Sequence, residues 1–225
     1  MRIKSPTKKL IIFDLDGTLY DFKGGSFQRS KLRQKILENA KKFIAARLKK
    51  SDRETARVLR DIIREYGENI SIGLEKRFKL NRLDYFETVW NVPAWIFVQT
   101  NPSLRRGLLT LRRRFDFLLL SDAPRVWVDN VLSELGVNDL FKDRIFSGEG
   151  DRRKVFGNVF EEVKRLFRID PRNCIVIGDQ EDTDIVPAHR TGMKSILISR
   201  TKKSSVADYR VKNIGEAIAV VRNFN

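Results

Sequence analysis

Three apolar runs along the chain each stop abruptly at a polar group. Ile11-Ile12-Phe13 ends at Asp14, Phe117-Leu118-Leu119-Leu120 ends at Ser121, and Ile175-Val176-Ile177 ends at Gly178-Asp179. Short uninterrupted apolar runs of this kind predict parallel strands buried on both faces. Between the first two runs the pattern changes period. Leu32, Ile36, Leu37, Ala40, Phe43, Ile44 and Leu48 recur at three and four residues, which predicts a long amphipathic helix. Ser51-Asp52-Arg53-Glu54 is a capping box for a second helix carrying Val58, Leu59, Ile62 and Ile63. One or two shorter helices follow through Leu74, Phe78, Leu83, Phe86 and Val89. Further helices are expected from about Leu104 to Arg112, from Val126 to Leu135 before Gly136, and from Ile214 to Val221. Short strands are expected near Ile145 and from Ser195 to Ile198. The expected fold is α/β, a doubly wound, Rossmann-like parallel sheet core formed by residues 1–23 and 93–225, with an all-helical insertion over residues 24–92.

The polar ends of the strands carry the candidate chemistry. In an open α/β sheet, side chains just past the strand ends face the crevice where ligands bind. Asp14 and Asp16 stand two residues apart there, before Gly17. Two acids are costly to bury unless a cation or proton chemistry compensates them. Alone, Asp-Leu-Asp-Gly reads equally well as a tight turn with solvated acids. The rest of the chain shifts that balance. Lys154 follows Arg152-Arg153 at the start of a helical pattern, Phe156, Val159, Phe160, Val163 and Phe167, and Asp182 and Asp184 follow Asp179 in the turn toward another helix.

Asp-x-Asp, Ser, Lys and Gly-Asp-x-x-x-x-Asp, in that order and each at a strand end or helix start, resemble the four motifs of the haloacid dehalogenase superfamily. The resemblance runs from about Leu10 to Ile198, apart from the insertion. It implies a phosphatase with Asp14 as the nucleophile that forms an aspartyl-phosphate and Asp16 as the acid that protonates the leaving alkoxide and then activates water. Ser121 and Lys154 are implied to bind the phosphoryl group, with Lys154 also neutralising Asp14. Mg²⁺ is the implied cofactor, held by Asp14, Asp179 and the backbone carbonyl of Asp16, with Asp184 standing behind these ligands. Asp182 is expected to be a solvated turn residue. Dehalogenases of the superfamily lack an acid at the position of Asp16, so its presence favours phosphate-ester hydrolysis or phosphomutase chemistry. The core motifs, including Ser121-Asp122-Ala123-Pro124-Arg125, look most like pyrimidine 5′-nucleotidase-like members. The insertion falls where one class of the superfamily carries a helical cap. A mobile lid that sets substrate choice is therefore expected, hinged at Gly24-Gly25 and at Asn91-Val92-Pro93.

Two departures from the family pattern stand out. Lys154 lacks the usual following Pro-x-Pro, which makes Arg153 a rival for the lysine role. Asp122 replaces a common Asn, and is expected to be structural, pointing away from the anion or pairing with a base such as Arg125.

Composition adds bounds. The 225 residues suit one α/β core plus a modest second unit. The 45 Lys and Arg against 29 Asp and Glu, net +16, fit attraction of phosphorylated substrates, nucleic acid or an acidic surface. The basic residues are dispersed, however, and runs such as Lys49-Lys50, Arg112-Arg113-Arg114 and Lys202-Lys203 fall at expected helix ends or loops. Solvated surface is the favoured reading, no dedicated nucleic-acid module is expected, and a basic binding protein on this fold is the contrasting alternative. No membrane span or secretory signal is evident, and the single cysteine, Cys174, lies in an expected buried strand, which points to a reducing cytoplasm. The expected partner is a small phosphorylated metabolite or nucleotide, bound by a monomer or homodimer. Trp90, Trp95 and Trp127 read mainly as packing, with Trp90 and Trp95 the better candidates for touching substrate. His189 reads as surface or helix packing.

Overall fold

A computed structural model of the chain describes residues 8–142, 144–150, 153, 154, 158–201, 204 and 206–224. Six strands form one parallel sheet. They are β1 (Lys9–Phe13), β4 (Phe115–Leu120), β5 (Ile145–Phe146), β6 (Cys174–Gly178), β7 (Lys194–Ile198) and β8 (Tyr209–Val211), arranged β5-β4-β1-β6-β7-β8. The central strands have no solvated face. Along β1, Leu10 and Ile12 enter one apolar cluster while Ile11 and Phe13 enter the other, and β4 and β6 alternate in the same way. This period-two division of unbroken apolar runs between two layers explains why these segments read as strands without a polar side.

Helices cover both faces. α5 (Leu104–Arg112), α6 (Arg125–Glu134), α7 (Asn138–Phe141) and α10 (Ile214–Arg222) supply Leu108, Trp127, Phe141 and Ile218 to one cluster. α8 (Val159–Phe167) and α9 (Val186–Arg190) supply Val159, Phe160, Val163, Phe167 and Ala188 to the other. Phe156, Lys202 and Lys203, which also figured in the pattern, lie outside the described residues. Among the described strand residues one charged residue is buried: Asp116 on β4 pairs with Arg112 at 2.6 Å and Arg144 at 3.2 Å.

The insertion consists of α1 (Lys31–Leu48), α2 (Asp52–Tyr66), α3 (Ile70–Phe78) and α4 (Arg82–Val89). The capping box is present: Ser51 accepts from Glu54 N, and the Glu54 carboxylate accepts from Ser51 N at 3.0 Å. α1 packs against α2 and α4, while α3 packs against both α2 and α4. The α2–α3 approach depends on Gly73, where a Cβ would lie 2.7 Å from Tyr66 Cδ2 and 2.8 Å from Ile62 Cγ2. The two chain crossings into and out of the helices are tied together by β2 (Asp21–Phe22) and β3 (Val98–Gln99), an antiparallel pair with Phe22 opposite Val98. Gly24 and Gly25 follow β2 with φ of +98° and +99°, backbone that side-chain-bearing residues rarely adopt. At the other crossing, Asn130 Nδ2 on α6 donates to Val92 O at 3.1 Å. Neither this ribbon nor β8 was expected from the sequence. Among the described residues no helix is long and apolar enough to cross a membrane.

Gly73→Ala sets two effects against each other. Ala gains about 1 kcal/mol of helix propensity, whereas crowding a packed contact costs about 1–3 kcal/mol. A stiff ring and a β-branched side chain are the neighbours, so crowding is expected to win, and urea denaturation should show net destabilisation.

Candidate active site

The site forms where the sheet reverses its winding. From β1 the chain goes on to β4 on one side and later to β6 on the other, so the carboxyl ends of these three strands open into one crevice. The hydrogen-bond ladder fixes the groups that follow: Asp14 N donates to Ile177 O and Ser121 N to Phe146 O, both at 2.9 Å. Asp14 and Ser121 thereby stand at the ends of two neighbouring strands, as their sequence positions predict.

Lys154 is the centre of the arrangement. Its Nζ, 3% exposed as a residue, donates to Asp14 Oδ1 at 2.6 Å and Asp184 Oδ1 at 2.7 Å. Burial alone would discourage the ammonium, but the charges of Asp14 and Asp184 outweigh it and hold the Lys154 pKa above its ordinary value. The other oxygens of the two acids are also used. Thr18 Oγ1 donates to Asp14 Oδ2 at 3.0 Å, and Gln180 N donates to Asp184 Oδ2 at 3.1 Å. Asp179 is different: its Oδ1 is buried and has no hydrogen-bond partner. Gly17, at φ +82°, lets the loop after β1 close against it, since a Cβ there would lie 2.5 Å from Asp179 Oδ2.

Asp14, Asp179 and Asp184 present oxygens all within 4.8 Å of one another. One ammonium cannot balance three acids. Burial first, then Asp14 and Asp184, pushes the Asp179 carboxyl up to about 8, and burial with Asp14 raises Asp184 to about 6 despite Lys154. Hard carboxylate oxygens with excess negative charge and one orphaned oxygen fit a small divalent cation such as Mg²⁺. Asp179 and Asp14 are suited to direct contact, whereas both Asp184 oxygens are already engaged.

Asp16 is turned into a separate clasp. Its Oδ1 accepts from Trp127 Nε1 at 3.0 Å and from the Tyr20 hydroxyl, and its Oδ2 accepts from Ser121 Oγ at 3.3 Å. Burial, and secondarily Asp14, raises its pKa, so this acid favours its protonated form more than a surface aspartate does. Burial also pushes the Tyr20 hydroxyl well up, keeping it a donor.

All the expected residues, Asp14, Asp16, Ser121, Lys154, Asp179 and Asp184, therefore meet in this crevice. Three contributors were not foreseen. Thr18 and Tyr20 lie inside the first motif, four residues beyond Asp14 and Asp16. Trp127 is 111 residues from Asp16 and fully buried. Trp127 had been set behind Trp90 and Trp95, yet Trp90 stacks on Phe27 with the rings 9° from parallel and Trp95 is 63% exposed. Asp122 is structural as expected, but not through Arg125. Arg125 pairs with Asp129 at 2.8 Å, while Asp122 Oδ1 accepts from Lys154 N at 2.8 Å and lies 3.9 Å from Arg153 Nε. This acid anchors the lysine segment where Pro-x-Pro is missing, and it directs Arg153 to the Asp122 carboxylate rather than into the acid cluster. Val155 and Gly157 of that segment lie outside the described residues. Asp182 and His189 are exposed. Cys174 is fully buried and its thiol is pushed up to about 12 by burial, so it is no nucleophile.

Comparison with known proteins agrees with this arrangement. The family model described as haloacid dehalogenase-like hydrolase matches residues 8–192. Glyceraldehyde 3-phosphate phosphatase of Methanopyrus kandleri is 26% identical over 95% of this chain and 97% of its own length. N-acylneuraminate-9-phosphatase of Homo sapiens is 21% identical over 96% and 95%, respectively. Among solved structures, a HAD phosphatase from Thermococcus onnurineus superposes with a TM-score of 0.67 at 21% identity, covering 95% of this chain and 97% of that one.

The raised carboxyls make a pH prediction. With a folded pKa of about 8 for Asp179 and an unfolded value of ~4, the cation-free folded protein binds more protons in that window, so its stability falls as pH rises through it. Mg²⁺ favours the ionised form, so its stabilising effect should grow from pH 6 to 8.5. Thermal melts with and without Mg²⁺ measure this. Asp179→Asn should remove most of the pH dependence of the Mg²⁺ increment, and an unchanged increment would contradict the assignment.

Proposed function

The chain belongs to the haloacid dehalogenase-like hydrolases, and we propose that it is a Mg²⁺-dependent phosphatase that hydrolyses a small phosphomonoester through an aspartyl-phosphate on Asp14. The observation that carries this reading is the pairing of Asp14, bound by the Lys154 ammonium and the Thr18 hydroxyl, with an Asp16 whose pKa burial raises, in its own clasp two residues later. Two carboxylates placed in different environments divide into nucleophile and acid.

An Asp14 oxygen attacks phosphorus while the ester oxygen departs, taking the Asp16 proton as the P–O bond breaks. The Asp16 carboxylate then accepts a proton from water, whose oxygen attacks the phosphoryl group, releasing inorganic phosphate and restoring Asp14. Ser121 Oγ and Lys154 Nζ lie beside these acids and serve the phosphoryl oxygens. Asp14, Asp179 and the backbone carbonyl of Asp16 would hold Mg²⁺, with Asp184 fixing Lys154. When bound, the ion supplies neutralisation of the phosphoryl charge. The phosphatase names of relatives aligned over nearly their whole lengths support a small phosphorylated metabolite as substrate. In this reading residues 24–92 are the cap: they exclude water and present side chains to the leaving group, while the core performs the transfer.

The deciding experiment is turnover of a phosphomonoester panel with Mg²⁺ and with chelator. Asp14→Asn should lower kcat by ~10⁴ or more, as loss of one member of a coupled catalytic unit does, without unfolding the protein. Near-normal turnover in the folded variant would rule the mechanism out.

Asp16→Asn should behave differently. A general acid contributes ~10²–10⁴, and a good leaving group needs less of it. Single-turnover phosphorylation should therefore fall less for an aryl phosphate than for an alkyl phosphate. An equal loss for both would remove Asp16 from the acid role.

A further inference from the structure

α2 carries Arg53, Arg57, Arg60 and Arg64, spaced alternately four, three and four residues apart. At about 3.6 residues per turn they fall within an arc of roughly 60° and form a stripe ~16 Å long. Thr55, Leu59 and Ile62, on the other side of the helix, are buried, and α2 packs against α1 and α3. All four arginines are exposed. The chain's basic residues were expected to be dispersed, but this helix aligns four of them on one outward face.

An exposed charge is commonly just solvated, so the pairing pattern decides whether the stripe is more than surface. Elsewhere in the insertion, bases reach acids: Arg33 meets Glu68 at 2.9 Å, Arg47 meets Asp84 at 2.7 Å and Arg77 meets Glu65 at 3.6 Å. The acids within one turn of Arg57 serve other groups. Glu54 closes the capping box at Ser51 and lies 3.8 Å from Lys50, and Asp61 pairs with Arg64 at 3.0 Å. Among the described residues, the side chains of Arg53, Arg57 and Arg60 make no ion pair or hydrogen bond. Like charges three and four residues apart repel, so the stripe weakens the helix that carries it. An external anion spanning the row would compensate all of them at once.

Residue type and length narrow the anion. All four positions hold arginine although lysine stands at 49 and 50, and a guanidinium grips phosphate oxygens bidentately where an ammonium offers a point charge. A nucleic-acid duplex carries one phosphate per ~3.4 Å of each strand, so about five would face the stripe. No aromatic residue lies between Arg53 and Arg64 to stack on an unpaired base. Contact is then with the backbone and independent of sequence. The apolar face of α2 is already used within the bundle, which leaves it nothing to insert into a lipid surface.

We propose that the outer face of α2 is a docking surface for the phosphate backbone of a nucleic-acid duplex, held by Arg53, Arg57 and Arg60 with Arg64 at the end of the row. None of the crevice residues belongs to this surface, so it stands apart from the phosphatase chemistry.

Fluorescence anisotropy with two DNA duplexes of ~20 base pairs and unrelated sequence tests it, from ~50 to ~200 mM salt. Wild type should bind both duplexes alike, with log K falling against log[salt] at a slope of about −3 or steeper, as three neutralised phosphates require. Arg53→Gln/Arg57→Gln/Arg60→Gln should bind ~10-fold or more weakly at the lowest salt and flatten the slope by about 2–3. Its helical content by circular dichroism should be unchanged, because glutamine suits a helix as well as arginine does. The charge-matched control Arg106→Gln/Arg165→Gln/Arg190→Gln removes exposed arginines from α5, α8 and α9 and should keep most of the affinity and slope. Equal loss in the two triple variants would assign binding to the overall charge of +16 and overturn the surface. Absence of duplex binding by wild type at the lowest salt overturns it as well, whether or not anionic lipid vesicles are bound instead. A strong preference for one of the two sequences overturns the backbone contact.

Discussion

A single buried ammonium organises this protein's crevice. Lys154 Nζ bridges Asp14 and Asp184, which come from the end of β1 and the turn after β6. Removing it would leave two uncompensated buried acids, and removing either acid would leave a buried cation with half its partners. The lysine is in turn positioned through its backbone, by the bond from Lys154 N to Asp122 just past β4. Three strand ends are therefore coupled through one residue. The parallel sheet brings them together, and the ion pairs set their final spacing. The charge balance still falls short, because Asp179 joins the cluster with one oxygen unmet, an arrangement that could hold a cation.

The same crevice holds a second, nearly independent device. Asp14 and Asp16 are two residues apart, but the turn through Gly17 sends their side chains into unlike surroundings. Asp14 faces an ammonium and Asp16 faces neutral donors, Tyr20, Trp127 and Ser121. Neutral donors orient the Asp16 carboxyl by hydrogen bonds alone, whereas Asp14 is oriented by an ammonium 2.6 Å away. Tyr20 also adjoins β2, at the foot of the ribbon where the chain leaves for the helical insertion. The acid is thus clasped by residues from both the transfer core and the base of the crossing.

What was legible in the sequence follows from the range of the forces involved. Strands such as Phe117–Leu120 and helices such as α1 and α2 are set by local periodicity and caps, and their positions could be read directly. The six chemical residues could be read because strand ends converge in this topology and because their order resembles a known family. Trp127 could not, since nothing near it in the chain marks the indole N–H as destined for Asp16. The partner of Asp122 was misassigned for the same reason: Arg125 is three residues away, but the helix gives Arg125 its own i+4 acid in Asp129. Proximity in sequence lost to proximity in space. The β2–β3 ribbon escaped because its strands lie on opposite sides of the helical insertion, so nothing local marks their pairing.

Buried groups without partners separate structural tolerance from function. Thr55 Oγ1 on α2, Asp179 Oδ1 and the Arg82 N–H groups are all unmet, but they differ in kind. A neutral hydroxyl costs less to leave unpaired than a charge does, and Thr55 sits among the inserted helices, far in sequence from Asp14 and Asp179. An ionisable group costs much more, and the fold has nearby ways to relieve it. Asp179 is crowded by Asp14 and Asp184 instead of receiving a donor, and Arg82 rests on the Phe86 ring. Sequences that specify one fold break local rules mainly where function compensates. The Asp179 violation lies inside the acid cluster of the crevice, where a cation would relieve it.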